Sequence, residues 1–132
     1  MSEKKKRVWV RDAAIYSALR RAHRNSPEYH EALKLAKSEY FILSKKGKQM
    51  RRVHFQCAHC PTKATRKNVA VDHINAVIDP RVGKTTLDDY ANRLFCGTIG
   101  LQILCKPCHS VKSKLENAVR RKVKKEKANE QD

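Results

Sequence analysis

Two pairs of cysteines with the same short spacing constrain the fold of this chain more than any other feature of its sequence. Cys57 and Cys60 form the first C-x-x-C pair, and Cys105 and Cys108 form the second. A structural zinc ion takes four ligands in a tetrahedron, and cysteine thiolates meet that requirement. Because a C-x-x-C turn directs two sulfur atoms at one point, we expect the two pairs to share one structural Zn²⁺ ion. That ion would pin the segment around the first pair to the start of a C-terminal helix.

Two alternatives to a four-cysteine zinc site are disulfide bonds and a site in which a histidine replaces one thiolate. The chain has five cysteines, and in a reducing compartment their paired spacing favours metal binding over disulfides. His59 lies inside the first pair and could compete as a ligand, but four thiolates already complete the site. The fifth cysteine, Cys96, is interpreted as a small buried apolar residue.

The balance of charge indicates what the protein binds. The 132 residues carry a net charge of +17, and only 40% of them are hydrophobic, so we expect one domain with a thin core that a metal helps to hold. The excess of positive charge attracts polyanions, with DNA or RNA ahead of an anionic membrane. No apolar run approaches the roughly 18 residues of a membrane-spanning helix. The N-terminus lacks the apolar core of a signal peptide, so we expect an intracellular protein with no membrane partner.

The chain divides into four predicted segments. Residues 1–10 form a basic N-terminal arm, in which Lys4 to Arg7 are a nucleic-acid contact, a localisation signal or simply a solvated start. Residues 11–48 form a helical hairpin that either braces the core or reaches DNA. Residues 49–118 form the core with both cysteine pairs, and residues 119–132 form a basic helix end and tail.

The helical hairpin is predicted from capping residues and apolar spacing. Asp12 is the expected N-cap of the first helix, and Ser26 is the expected N-cap of the second, with Pro27 at its first position. The second helix is expected to run to about residue 46 and to stop at Gly47, because apolar residues recur at alternating four- and three-residue steps. These apolar residues are Tyr29, Leu33, Ala36, Tyr40 and Leu43.

Short strands and a capped helix are predicted for the core. Val53 to Gln56 alternates apolar and polar residues as a strand does, and Val69 to Val71 forms a second strand that delivers an Asp-His pair at its end. Thr86 is the expected cap of a third helix. A last helix is expected to start near Cys108.

This Asp-His pair and a later histidine form a candidate catalytic site. Asp72 offers a hard oxygen and His109 a nitrogen to a divalent cation, and two protein ligands leave positions open for water and a phosphate oxygen. His109 directly follows a predicted zinc ligand and begins a helix, whose positive end disfavours a protonated imidazole. His73 is then the candidate base. The alternative is that both histidines are ordinary surface residues, but their placement beside the cysteine pairs favours a site.

The combined pattern resembles the HNH endonuclease family. The resemblance is carried by Val71-Asp72-His73-Ile74, by Leu101-Gln102-Ile103-Leu104-Cys105-Lys106-Pro107-Cys108-His109, and by Lys112 and Lys114. It covers about residues 50–116 and is closest in kind to the four-cysteine zinc variant that is common in phage-encoded members. The Arg93-Leu94-Phe95-Cys96 segment is also similar to phage HNH proteins. A phage-encoded protein would act in the host cytoplasm.

The resemblance implies a fold and an activity. The fold would be α+β, with a small ββα-metal (His-Me finger) core stapled by the four-cysteine zinc site and preceded by the helical hairpin. Asp72 and His109 would hold a catalytic Mg²⁺, Mn²⁺ or other divalent cation. His73 would be the general base that activates water against a DNA phosphodiester, leaving 5′-phosphate and 3′-hydroxyl ends.

One position departs from the family pattern. Many members have an Asn, the middle letter of the family name, where this chain has Gly100. In the family this Asn is thought to hold the loop of the base histidine in place. Asn75 and Asn92 are candidates for the same role in this chain.

Positive charge on the last helix is the predicted nucleic-acid contact. Lys112, Lys114, Arg120 and Arg121 are expected to meet phosphates, with a solvated helix face as the alternative, and the basic end from Arg120 to Lys127 is expected to fray. Two other functions stay open. One is a catalytically weakened, zinc-stapled module that binds DNA or RNA. The other is an accessory protein that acts through a phage packaging or replication partner.

Overall fold

The computed structural model describes residues 9–130, and these residues contain four α-helices and five strands. The helices are α1 (Arg11–Arg24), α2 (Pro27–Ala36), α3 (Leu87–Leu94) and α4 (Lys106–Glu130). The strands are β1 (Lys37–Leu43), β2 (Gln49–Gln56), β3 (Lys63–Ala64), β4 (Val69–His73) and β5 (Leu101–Cys105). The predicted α+β class is therefore confirmed. The predicted basic arm lies almost wholly in residues 1–8, outside the described residues.

Two small antiparallel sheets organise these elements. One has the order β1-β2-β3, and the other is the β4-β5 pair. In that pair Asp72 lies opposite Gln102, and Val69 lies opposite Cys105. Because β5 leads directly into α4, and α4 packs back against β4 and β5, the end of β4 faces the first turns of α4. The sheet register thus decides which side chains meet there.

The hydrophobic core is small and has two parts. One cluster joins α2 to both sheets through buried side chains, which are Ala32, Phe55, Val69, Leu101 and Ile103. The other surrounds the cysteines and contains Leu104, which is completely buried. Only ten hydrophobic residues in the described part of the chain are buried. At about 1.5–3 kcal/mol for each fully buried large side chain, such a core gains much from an added cross-link.

The prediction that the second helix runs to about residue 46 is wrong. Helix α2 ends at Ala36, and the following seven residues form strand β1, which pairs with β2 from Lys37–Phe55 to Leu43–Gln49. The spacing of apolar residues also fits this strand, because Tyr40-Phe41-Ile42-Leu43 is rich in aromatic and branched side chains that favour strands. Gly47 has a φ of 77° and lies in the turn between the two strands rather than at a helix end.

The caps and ends of the other helices are mixed in outcome. The predicted caps Ser26 and Thr86 are confirmed, since each side chain accepts a hydrogen bond from the backbone N–H three residues later. Asp12 is not a cap: α1 begins after Val10, which offers no side-chain acceptor, and Asp12 lies within the first turn. Helix α4 begins two residues before Cys108 and continues to Glu130 instead of fraying. None of the helices in residues 9–130 combines the length and apolar composition needed to cross a bilayer.

Candidate active site and metal centre

The four paired cysteines converge on one point, as the sequence predicts. Their Sγ atoms all lie within 4.8 Å of one another, and the Sγ atoms of Cys60 and Cys105 are 3.6 Å apart. A tetrahedral zinc site with Zn–S bonds of about 2.3 Å has sulfur–sulfur distances of about 3.8 Å, whereas a disulfide bond is about 2.05 Å long. The four thiols are therefore placed to hold a metal ion, and an all-thiolate set suits zinc.

Backbone contacts set this geometry. The N–H of Ala58 donates to the carbonyl of Ile103 at 2.8 Å, which ties the first pair to β5. The Gln56 side-chain amide donates to the carbonyl of Cys60 at 3.1 Å. His59, the alternative ligand, is exposed, and its Nε2 lies 3.2 Å from the side-chain oxygen of Gln102. His59 is therefore directed towards β5 and is not part of the cluster of potential metal ligands formed by the four cysteines. We call this set of residues the four-cysteine cluster.

Asp72 and His109, the predicted catalytic-metal ligands, are brought together. The Nε2 atom of His109 lies 3.8 Å from Oδ1 of Asp72. Asp72 is buried, and its Oδ2 accepts a hydrogen bond of 2.8 Å from the amide of Gln102, its cross-strand neighbour. Sequence reasoning gave Gln102 no role. The contact could have been predicted if β4 and β5 had been paired in register, because residues directly opposite each other in an antiparallel pair lie on the same face. Among the described residues, only the four cysteines form a group of three or more potential metal ligands.

Lys112, predicted to contact phosphate, occupies the same place. Its Nζ lies 3.0 Å from Oδ2 of Asp72 and 2.9 Å from Oε1 of Glu116, and it donates to the carbonyl of His73 at 2.8 Å. Burial lowers the pKa of Lys112, but hydrogen bonds to Glu116 and Asp72 outweigh burial, so the pKa is raised overall. The ammonium group therefore stays charged and balances the buried carboxylate of Asp72.

His73 lies at the end of β4 with one ring nitrogen committed. Its Nε2 is 2.8 Å from the carbonyl oxygen of Leu94. A carbonyl only accepts, so this hydrogen bond assigns the proton to Nε2 and leaves the lone pair on Nδ1. Burial lowers the pKa of His73 below its ordinary value, although the Leu94 carbonyl opposes the effect. The ring is thus held as a neutral imidazole with Nδ1 able to accept a proton.

The loop after His73 is held by Arg93, whose contacts the sequence does not reveal. Its Nη2 donates to the carbonyl of Ala76 at 2.7 Å, and its Nε donates to the carbonyl of Val77 at 2.9 Å. The N–H of Ile74 donates to the carbonyl of Gly100 at 3.0 Å. In the described residues these hydrogen bonds come from Arg93 and from backbone, not from the two candidates suggested by sequence, Asn75 and Asn92.

Gly100 is required by close packing. A Cβ atom at this position would lie 2.5 Å from Sγ and 2.8 Å from Cβ of Cys96. Both distances are shorter than any normal contact, so a side chain at position 100 would displace Cys96. Cys96 was predicted to be a small buried apolar residue; it is only half-buried, and it packs against the first core cluster.

A hydrogen bond between the buried His23 and the half-buried Glu28 joins the two N-terminal helices beside the site. His23 is 2% exposed, and its Nε2 lies 3.3 Å from Oε2 of Glu28. The same carboxylate oxygen accepts a 2.8 Å hydrogen bond from the N–H of Gly97. The His23 and His73 rings are 5.0 Å apart. Helices α1 and α2 therefore brace the segment that carries the partners of His73.

The candidate catalytic residues line a cavity of about 390 Å³. Asp72, His73 and His109 form part of its wall. The rest of its polar lining consists of four cationic side chains and four others, namely Arg20, Arg24, Lys112 and Arg120 with Glu116, His23, Tyr29 and Tyr90. Of the other predicted phosphate contacts, Lys114 and Arg121 are exposed on α4 and do not line the cavity. The cavity thus presents two carboxylates and three imidazoles beside four cationic side chains, and these cations suit a phosphate-bearing ligand.

No family model, curated protein or solved structure matched this chain in our comparisons. The function of the protein is therefore inferred from its sequence pattern and from the chemistry of the cavity and the four-cysteine cluster.

Proposed function

We propose that this protein is a metal-dependent endonuclease of the HNH type that hydrolyses DNA phosphodiester bonds. The observation that carries the proposal is the approach of His109 to Asp72, at 3.8 Å, in the cavity that also exposes His73. The cationic wall and the net charge of +17 support a polyanionic substrate. The sequence pattern, which resembles the HNH family, supports the reaction type.

Asp72 and His109 are the residues that would hold the catalytic cation. A carboxylate oxygen and an imidazole nitrogen are suitable ligands for Mg²⁺ or Mn²⁺, and two protein ligands leave positions for water and phosphate. When bound, the cation would supply charge neutralisation at the phosphate and at the leaving 3′ oxygen. Gln102 would orient Asp72 through its 2.8 Å hydrogen bond.

His73 would act as the general base. Its Nδ1 takes a proton from the attacking water, whose oxygen forms a bond to phosphorus as the bond to the 3′ oxygen breaks. The leaving 3′ oxygen takes a proton from a solvent water and becomes a 3′-hydroxyl, the phosphate stays on the 5′ side, and the His73 imidazolium returns its proton to solvent. The Leu94 carbonyl accepts from Nε2 throughout, which orients the ring and stabilises the imidazolium that forms.

The four cysteines would hold a structural zinc ion in this proposal. That ion would join the loop after β2 to the first turn of α4, where His109 directly follows Cys108. The position of His109 relative to β4 would then depend on zinc. A thin hydrophobic core and a metal cross-link are a common combination in domains of this size.

A second candidate is a zinc-stapled module that binds nucleic acid without cutting it. Lys112 favours it, because its ammonium group already neutralises Asp72 at 3.0 Å. A cation at Asp72 must displace this ammonium group, which could turn to Glu116 alone. An accessory role beside a phage packaging or replication protein would use the same surfaces.

The deciding experiment is cleavage of supercoiled plasmid by the purified protein with Mg²⁺, with Mn²⁺ or with EDTA. His73→Ala should abolish cleavage and keep DNA binding. His30→Ala, which changes an exposed histidine on α2 outside the cavity, should keep both. Equal cleavage by the His73→Ala protein would refute the assignment of the base. Tight binding without cleavage under any metal would support the binding module.

A further inference from the structure

The hairpin of β1 and β2 extends beyond the hydrophobic core. At its base Phe55 is buried, and Val53 packs against the same cluster. Farther out the side chains are exposed: Phe41 is 60% exposed and Leu43 is 75% exposed. We call residues 40–52 the distal ribbon. It is a two-stranded segment with its connecting turn, and apolar side chains on it face solvent.

Both faces of the distal ribbon carry an aromatic residue beside an arginine. Residues that lie directly opposite each other in an antiparallel pair share a face, and neighbouring pairs alternate. Phe41 lies opposite Arg51 on one face, and Tyr40 lies opposite Arg52 on the other. All four are exposed. A sheet that served only to cover the core would show this composition on one face at most.

The charge of the distal ribbon has one sign. Its thirteen residues include Lys45, Lys46, Lys48, Arg51 and Arg52 and contain no acidic residue. Glu39, just below the ribbon, pairs with Arg51, so Arg52 and the lysines of the turn carry the charge that is free to meet a partner. Positive charge at this density opposes pairing of the exposed strand β1 with a second copy of itself.

The dimensions of the distal ribbon fit the major groove of duplex DNA. Paired strands lie about 4.8 Å apart, and the major groove of B-DNA, about 12 Å wide, admits a two-stranded ribbon with side chains on both faces. Arginine can read guanine there, and apolar side chains can contact the thymine methyl group. The major groove of duplex RNA is too deep and narrow for side chains to read.

We propose that the distal ribbon enters the major groove of duplex DNA and supplies base contacts, with Arg52 and Lys46 among the contacting residues. This inference rests on the proposed function only in taking DNA as the substrate, because it concerns binding and not cleavage. The cavity residues then act on the backbone, and the distal ribbon selects where they act.

The test measures binding to duplex DNA by the 132-residue protein carrying His73→Ala, so that the DNA stays intact. The probe is a duplex selected by this protein from a random-sequence pool. Arg52→Gln combined with Lys46→Gln should weaken binding by about 10-fold or more and remove protection of guanine N7 from methylation. The matched control, Lys34→Gln combined with Lys63→Gln, loses the same charge from exposed positions on α2 and β3 and should change affinity by less than about 2-fold.

Four results would overturn the proposal: no sequence enriched from the pool, equal losses for both double variants, unchanged N7 protection, or competition by duplex RNA as strong as by duplex DNA. A different partner would be revealed by sedimentation. If the protein is a dimer that Phe41→Ser combined with Leu43→Ser converts to a monomer without loss of DNA affinity, the distal ribbon is a self-association surface. The nuclease proposal can fail without this one. In that case the protein would cut no plasmid under any metal but would still protect guanine N7 from methylation.

Discussion

The side chain of His73 is bound through Nε2 to the carbonyl oxygen of Leu94, at 2.8 Å. The two residues lie on different elements, since His73 ends β4 and Leu94 ends α3. The contact fixes the orientation of the ring and the position of its proton in one step. The segment from 94 to 97 is in turn held by Glu28, which accepts from the N–H of Gly97. The reactivity proposed for His73 thus depends on packing among α2, α3 and β4.

Arg93 should be a positioning residue for the loop that follows His73. We expect Arg93→Ala to slow plasmid cleavage by about 10- to 100-fold, because a displacement of about 1 Å at a reacting group can cost that much. The control is Arg81→Ala, at an exposed loop position, which should cleave at the wild-type rate. DNA affinity and zinc content should be unchanged in both. A loss of affinity equal to the loss of rate would instead make Arg93 a DNA contact.

Gly100→Asn should destabilise the protein and should not improve catalysis. The new Cβ would lie 2.5 Å from Sγ of Cys96, and overpacking of this kind costs about 1–3 kcal/mol. The measurement is the free energy of unfolding in denaturant. The clash is with the Sγ and Cβ atoms of Cys96. In a double-mutant cycle, Cys96→Gly should therefore restore part of the unfolding free energy that Gly100→Ala loses. Additive losses in that cycle would contradict the steric explanation.

Zinc binding by the four-cysteine cluster should contribute most of the stability of the core. Cys105→Ser should lower zinc content and unfold the domain, as measured by metal analysis and circular dichroism, because zinc binding in small domains supplies folding free energy directly. Cys96→Ser is the matched control, because Cys96 is not one of the four clustered cysteines. This variant should keep one zinc ion for each chain. A Cys105→Ser protein that stays folded without zinc would refute the structural role of the metal.

Lys112 should compete with a divalent cation for Asp72. Lys112→Met leaves the buried Asp72 carboxylate without its partner at 3.0 Å, so without divalent metal we expect stability to fall by about 3–5 kcal/mol. The same variant should bind Mn²⁺ more tightly by calorimetry, and Mn²⁺ should restore part of its stability. Lys114→Met, at an exposed position two residues away, should change neither quantity. Unchanged Mn²⁺ affinity in Lys112→Met would argue against a cation site at Asp72.

The local sequence was sufficient to identify the four-cysteine cluster and to name Asp72 and His109 as candidate ligands, whereas the β4-β5 register brings those two side chains together. A C-x-x-C turn directs its sulfur atoms within four residues, and His109 is covalently next to Cys108. Once the two pairs share a site, little freedom remains for the residue that follows. The caps Ser26 and Thr86 were predictable for a similar reason, because a cap depends on a hydrogen bond only three residues long.

Contacts between distant segments decided the rest. The sequence Tyr40 to Leu43 suits a helix face and a strand equally well, and pairing with β2 chose the strand. Lys112 has the composition of a surface contact, yet the β4-β5 register and the start of α4 bring it against Asp72. Gly100 looks like a missing asparagine until Cys96 is seen to fill the space. The sequence by itself determined the features that depend on residues a few positions apart, such as the C-x-x-C turns and the helix caps. Only the tertiary structure decided which charges, carbonyl groups and strands from distant parts of the chain contact one another.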